Sequence, residues 1–270
     1  MKLIDFHTHC FADELADRAL EVMFNGLGIL PSFDGRLKNL IKLMDAAEVD
    51  ISVILPVATK PSQVQPINDW VAEIKNPRII TFGAMHRDFP EPEKELDRME
   101  EMGIRGIKFQ PNFQGFRPDD ARMYPIYEAM EGRFIALFHS GDELQTFPHQ
   151  LSPPEAMANV HGLYPKLTMV LAHMGGYQMW DEVETWLLGR DVYFDVSCCL
   201  PDELPDSRFV DLIRAQGAER ILFGSDAPCC NPTDQFQRIM SLPLTDEEKE
   251  LIFWKNAARL LEMDDSTVTP

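Results

Sequence analysis

What this chain of 270 residues lacks narrows its class first. Cysteine is sparse, with five residues and no Cys-x-x-Cys pair, which excludes the dense disulfide framework of a small secreted domain and leaves reduced thiols as the expectation. No apolar run approaches the roughly 20 residues of a membrane-spanning helix, and the start has no basic-then-apolar leader, so a cytoplasmic protein with no membrane partner is expected. Positive charge is in deficit: 25 Lys and Arg stand against 44 Asp and Glu, a net charge of -19 that repels nucleic acid and anionic lipid. The acidic residues crowd into Glu91 to Glu101 and Asp246 to Glu250, where solvated helix faces account for them.

What the chain does have is apolar content, 45% of its residues, enough for the core of one barrel-sized domain. Apolar, β-branched or aromatic runs suited to buried strands recur at about residues 3-9, 51-58, 79-86, 105-110, 134-140, 167-174, 191-197 and 220-226. After the first, the spacing suits one strand, one return helix and two short loops. Helical signals fill the gaps. Leu37, Leu40, Ile41, Leu43 and Met44 recur at helical spacing, Pro92 and Pro154 stand where helices would open, and Thr245 with Glu248 forms a capping-box pattern before a last helix running to about Glu262. Eight strand-helix repeats describe an α/β chain folded as a single-domain (β/α)8 TIM barrel over residues 1-263, more naturally than the alternative of an open doubly wound sheet, with a polar tail at 264-270 that frays. The long first connection, from Cys10 to Asp50, carries a helix near 36 to 48 and a segment with Phe11, Phe24, Pro31 and Phe33 that either shapes a substrate pocket or is an extra helix packed on the barrel's outside.

In such a barrel the carboxyl ends of the strands share one face, so residues there converge from many points in the sequence. His7 and His9 alternate on the first strand, which points both imidazoles to one side. His139 ends the fifth run, His173 the sixth, and Asp226 the eighth. A lone strand-end histidine is more often a hydrogen-bonded core residue, and a lone aspartate often caps a helix. Four histidines and an aspartate at corresponding strand ends point instead to a metal centre.

The motifs IDFHTH at 4-9, GIKFQP at 106-111, ALFHSG at 136-141, LAHMGG at 171-176, LFGSDAP at 222-228 and KNAARLL at 255-261 resemble the amidohydrolase superfamily. They are most similar to its amidohydrolase 2 branch of metal-dependent hydrolases and decarboxylases. The resemblance implies that His7, His9, His139 and Asp226 ligate one divalent metal, zinc first and manganese second. It implies that Asp226 also serves as general acid/base. A water held by zinc has a pKa near ~7, which supplies hydroxide at neutral pH. His173 is then either a ligand of a second metal or a free imidazole that polarises substrate and moves protons, the reading preferred here. Lys108 either binds a substrate carboxylate or becomes a carbamate bridging two metals, since an unmodified ammonium has no lone pair to offer. Barrel phosphoesterases that also begin with His-x-His need further ligands at other strand ends.

The expected function is therefore metal-dependent hydrolysis of a small-molecule amide, lactone or ester, with non-oxidative decarboxylation of an aromatic or unsaturated acid as the alternative and a silent ligand-binding barrel as the third. The partner is a small molecule, and a homodimer is the default assembly. His86 and Asn112 are candidate pocket residues, although a structural hydrogen bond is the preferred reading of His86, and Gln110 is a candidate donor. Arg36, Arg87, Arg105 and Arg117 are candidates for a substrate carboxylate. The five cysteines all follow strands one, seven and eight, which places them in one sector of a barrel mouth, as small buried side chains or as a reactive patch.

Overall fold

The computed structural model describes residues 1-263; the expected frayed tail at 264-270 lies outside them. They fall into two compact units that the chain visits in turn: Met1–Ile54, Pro77–Ile80 and the described residues from Asp195 onward make the first, and Leu55–Asn76 with Thr81–Phe194 the second. Among the described residues nine short strands occur, helices separating each from the next except β3 from β4: β1 (Ile4–Thr8), β2 (Ile51–Ile54), β3 (Ile79–Thr81), β4 (Gly83–Ala84), β5 (Gly106–Phe109), β6 (Ile135–Phe138), β7 (Thr168–Leu171), β8 (Tyr193–Asp195) and β9 (Ile221–Leu222).

In the second unit, β4 to β8 pair in sequence order and in parallel, as buried apolar runs joined by helical crossovers require. The register places Phe109, Phe138 and Leu171 side by side at the strand ends, so the residues that follow them, His139 and Ala172, leave the sheet at one level. The ladder continues one step further: His139 N–H donates to the Phe109 carbonyl and Ala172 N–H to the Phe138 carbonyl, both at 2.9 Å.

In the first unit, β1 pairs in parallel with β2, with an irregularity between Asp5 and Thr8. Its other edge is fastened to the segment after β9, by Phe6 N–H to the Phe223 carbonyl and Asp226 N–H to the His7 carbonyl. His9 N–H in turn donates to the Ala227 carbonyl.

Three expectations need correction. The run at 79-86 is two strands, β3 and β4, rather than one, because the ladder is interrupted at the buried Phe82. The strands are also shorter than the apolar runs, since those runs continue into buried turns that pair with nothing regular. The last helix is not uniform: Asp246–Glu250 is α, Leu251–Lys255 a π turn, and Asn256–Leu260 α again. The wide turn lets three successive side chains, Ile252, Phe253 and Trp254, be buried together, and the Ile252 carbonyl accepts from Phe223 N–H. In the long first connection Ala16–Phe24 is a helix, the alternative weighed above to a pocket-shaping segment, and Ala16 is its one fully buried residue.

The helix starts follow the sequence. Pro92 and Pro154 occupy the first helical positions. Thr245 and Glu248 form the reciprocal capping box, with Thr245 N–H donating to the Glu248 carboxylate at 2.7 Å and Glu248 N–H to the Thr245 hydroxyl at 3.2 Å. Thr245→Ala is expected to cost about 1 kcal/mol in urea unfolding. A loss below about 0.2 kcal/mol would show that packing of the π turn alone holds this helix.

Candidate metal and proton-transfer residues

In the first unit, His7, His9 and Asp226 come together because the backbone that carries them is hydrogen-bonded residue to residue. Asp226 Oδ1 lies 3.0 Å from His9 Nε2 and 3.4 Å from His7 Nε2. Gly224 permits this approach: a Cβ there would stand 2.9 Å from the His7 Cβ. Asp226 itself has a left-handed backbone, with φ of 63°, a conformation a non-glycine residue adopts at a cost and most often where a side chain must be aimed.

The tautomer of His7 follows from its other nitrogen. Nδ1 lies 2.8 Å from the Asp195 carboxylate, which can only accept, so Nδ1 carries the proton and Nε2 keeps its lone pair toward Asp226. The Ser197 hydroxyl, 3.1 Å from the same nitrogen, donates to the other Asp195 oxygen at 2.5 Å and so fixes the carboxylate. Below the two histidines, Asp5 accepts from Ser225 N–H and hydroxyl and from His7 N–H, and burial raises its pKa to about 7.

The three donor atoms fit a divalent ion. They lie within 4.8 Å of one another, and two of the three side chains offer imidazole nitrogens beside one carboxylate. Donors each about 2.1 Å from an ion stand some 3.0–3.4 Å apart when ligand angles run from a right angle to near tetrahedral, which is the separation that Asp226 shows to both imidazoles. Asp195→Asn is expected to weaken metal binding about 10–100-fold, because the His7 proton loses the acceptor that aims the ring. Titration of the metal-free variant checks this, and unchanged affinity would remove Asp195 from the account.

In the second unit, His139 and His173 face each other just past β6 and β7, with His139 Nδ1 3.1 Å from His173 Nε2. The other His139 nitrogen lies 2.8 Å from the Asp142 carbonyl and 3.2 Å from the Glu143 carboxylate, both acceptors, so its proton sits on Nε2 and Nδ1 offers a lone pair toward His173. His173, like Asp226, has a left-handed backbone, with φ of 59°, and its carbonyl accepts from the Trp180 indole. Glu143 is held by Gln110 and Asn112, whose amides donate to it at 3.0 and 3.2 Å. Asn112 also accepts from Leu151 N–H, which ties down the loop after β6. Gly141, with φ of 90°, makes that loop possible, since a side chain there would overlap the Tyr177 backbone.

Lys108, the third residue of β5, is completely buried. His86 is buried and accepts from Asp88 N–H through Nδ1, which favours the structural role weighed for it, and burial lowers its pKa. Arg36, Arg87 and Arg117 already engage carboxylates of the chain, namely Asp17 and Asp34, Asp88, and Asp119 and Glu155. Asp195 and Glu143 were not anticipated. Asp195 reads as one more strand residue in Tyr193-Phe194-Asp195, and Glu143 is one acidic residue among many; its position four residues after His139 was the available signal.

The five thiols are reduced, and all belong to the first unit. Burial pushes Cys10 up to about 12, and burial likewise raises Cys199. Hydrogen bonding to Cys229 and Cys230, together with burial, raises Cys198 well above the usual thiol range. Cys198 Sγ donates to Asp226 Oδ2 at 3.2 Å.

Parallel strands alternate with helices in this chain, and solved structures share that fold. An uncharacterized TIM-barrel protein from Bordetella bronchiseptica matches with a TM-score of 0.72 at 20% identity, over 97% of this chain and 99% of that one. A putative 2-pyrone-4,6-dicarboxylic acid hydrolase from Pseudomonas putida matches with a TM-score of 0.68 at 19% identity, over 97% of each chain. A 5-carboxyvanillate decarboxylase from Novosphingobium aromaticivorans, solved with bound manganese, matches with a TM-score of 0.72 at 16% identity, again over 97% of each. At these identities the likeness shows the fold, the (β/α)8 TIM barrel. No curated protein matches the chain in sequence. A family model described as amidohydrolase, that of the amidohydrolase 2 branch, matches residues 4–263, so the chain belongs to that family of enzymes. No described helix is long and apolar enough to cross a membrane.

Proposed function

We propose that this protein is a metal-dependent hydrolase of a small-molecule carbonyl compound, an amide, lactone or ester. The observation that carries the reading is the Asp226 carboxylate set against both imidazoles of His7-Thr8-His9, with the His7 proton held by Asp195. His7, His9 and Asp226 would hold a divalent ion, zinc or manganese. His139 enters as the fourth ligand from the family resemblance alone. When bound, such an ion supplies Lewis acidity toward a carbonyl oxygen and toward water.

Asp226 then has a second task, to take a proton from the nucleophile and deliver it to the leaving group; Oδ2 already accepts a hydrogen bond from Cys198. His173 is proposed to donate a hydrogen bond to the substrate oxygen as negative charge develops there. Asp195 keeps the His7 ring in place and takes no part in proton transfer.

A second reading, non-oxidative decarboxylation, is favoured by one observation, the likeness of the chain to a 5-carboxyvanillate decarboxylase of the same fold. Incubating metal-replete protein with lactones, amides and aromatic acids, while following released carbon dioxide separately, tests both. Ring opening or amide cleavage without carbon dioxide supports hydrolysis, and stoichiometric carbon dioxide replaces it with the second reading. Binding without turnover of any candidate would contradict both.

A further inference from the structure

The Sγ atoms of Cys198 and Cys230 lie 3.0 Å apart. Two features set the pair apart from ordinary buried thiols. Cys198 has a left-handed backbone, with φ of 49°, where a glycine would be at ease and a cysteine is not, so the chain holds that side chain in place against a local preference. Its sulfur also donates to Asp226, the carboxylate that faces both histidines of β1. Cys230 is only half-buried, and its carbonyl is held by the Ser32 hydroxyl, so the loop that carries it is anchored at the backbone.

We propose that Cys198 and Cys230 are a peroxide-oxidised modification site that closes into a reversible disulfide and thereby changes the hydrogen bonding of Asp226. The sulfurs need to approach by only about 1 Å to reach the S–S bond length of ~2.05 Å. The half-buried thiol reacts first: the Cys230 sulfur attacks one oxygen of hydrogen peroxide, the O–O bond breaks, and water leaves, with Cys230 now a sulfenic acid. The Cys198 sulfur then attacks the Cys230 sulfur, the S–O bond breaks, and the Cys198 proton leaves with the hydroxyl as a second water. Two thiols and one peroxide thus give one disulfide and two waters. A dithiol reductant returns both thiols by exchange.

The consequence for Asp226 is the loss of the Cys198 S–H donor. That part rests on the function proposed above, in which Asp226 is a ligand and a proton carrier. Oxidised protein should bind its ion and turn over substrate at least tenfold more weakly than reduced protein, with recovery in dithiothreitol.

The test treats the full chain with hydrogen peroxide, blocks remaining thiols, and maps tryptic peptides by mass. The expected product joins the peptide 191-208 to the peptide 221-238, is lighter by two hydrogens, and disappears on reduction. Cys199 and Cys229 lie in the same peptides, so the link must persist in a Cys199→Ser/Cys229→Ser double variant and vanish in Cys198→Ser and in Cys230→Ser. Complete blocking of both Cys198 and Cys230 after peroxide overturns the proposal, as does oxidation of Cys230 to sulfinic acid with no link. A link that forms while ion content and turnover stay unchanged overturns the coupling to Asp226. Should reduced protein bind no ion at all, the metal reading fails, and the peptide map still decides the thiol pair.

Discussion

Asp226→Asn is expected to lower turnover by about 10²–10⁴-fold, the range that a positioned acid/base group supplies. The substitution is a clean one. Asparagine tolerates the left-handed backbone that Asp226 adopts, and its amide has nearly the carboxylate's shape, so the His7 carbonyl keeps its bond from the residue 226 N–H. What disappears is charge and proton-accepting capacity. The amide cannot take a proton at neutral pH, and it is a weaker ligand beside His7 and His9. The thermal midpoint should therefore stay close to that of the parent while kcat collapses and ion affinity drops. Activity within about threefold of the parent would remove Asp226 from proton transfer.

The largest effect on stability is expected from Phe138→Ala, about 3–5 kcal/mol in urea unfolding. Phe138 ends β6 with no exposed surface, stacks on Phe109 at 5.0 Å between ring centroids, and meets Tyr127 edge-on at 6.0 Å. Those rings are locked by their own neighbours: Tyr127 donates to the Pro118 carbonyl, and Phe109 also packs against Phe116. The hole left by the ring cannot readily collapse, so the cost should approach the upper part of the range. The same residue immediately precedes His139, so the variant should also loosen the loop held by Glu143 and Asn112, visible as faster amide exchange there. A loss under about 1 kcal/mol would mean that the cluster repacks and that β6 is not held by its aromatic end.

The spacing of apolar runs made the strand-helix alternation legible, because fully buried parallel strands have to be nearly continuous in Val, Ile, Leu and Phe. Alternation in Phe6-His7-Thr8-His9 made the paired imidazoles legible for the same reason. Pro92, Pro154 and the Thr245–Glu248 pair marked helix starts through chemistry local to each position. Strand ends were less legible: Phe82 and Phe223 are as buried as any strand residue, yet stand outside the ladder, because burial and strand pairing are separate requirements. Asp195 was hidden because its role depends on a partner 188 residues away, and nothing local distinguishes an aspartate that aims a histidine from one that ends a strand. Glu143 was hidden by composition, one carboxylate in an acid-rich chain, and only its partners Gln110, Asn112 and His139 single it out.

The central claim is that His7, His9 and Asp226 hold one divalent ion. Metal content per chain, measured on protein made in metal-supplemented medium and purified without chelator, tests it most directly when the parent is compared with His9→Ala and with His139→Ala. The account predicts one zinc or manganese ion per parent chain and a large loss in both variants, with circular dichroism unchanged. A parent chain that carries no ion, or a folded His9→Ala protein that retains the parent's full complement, would contradict it.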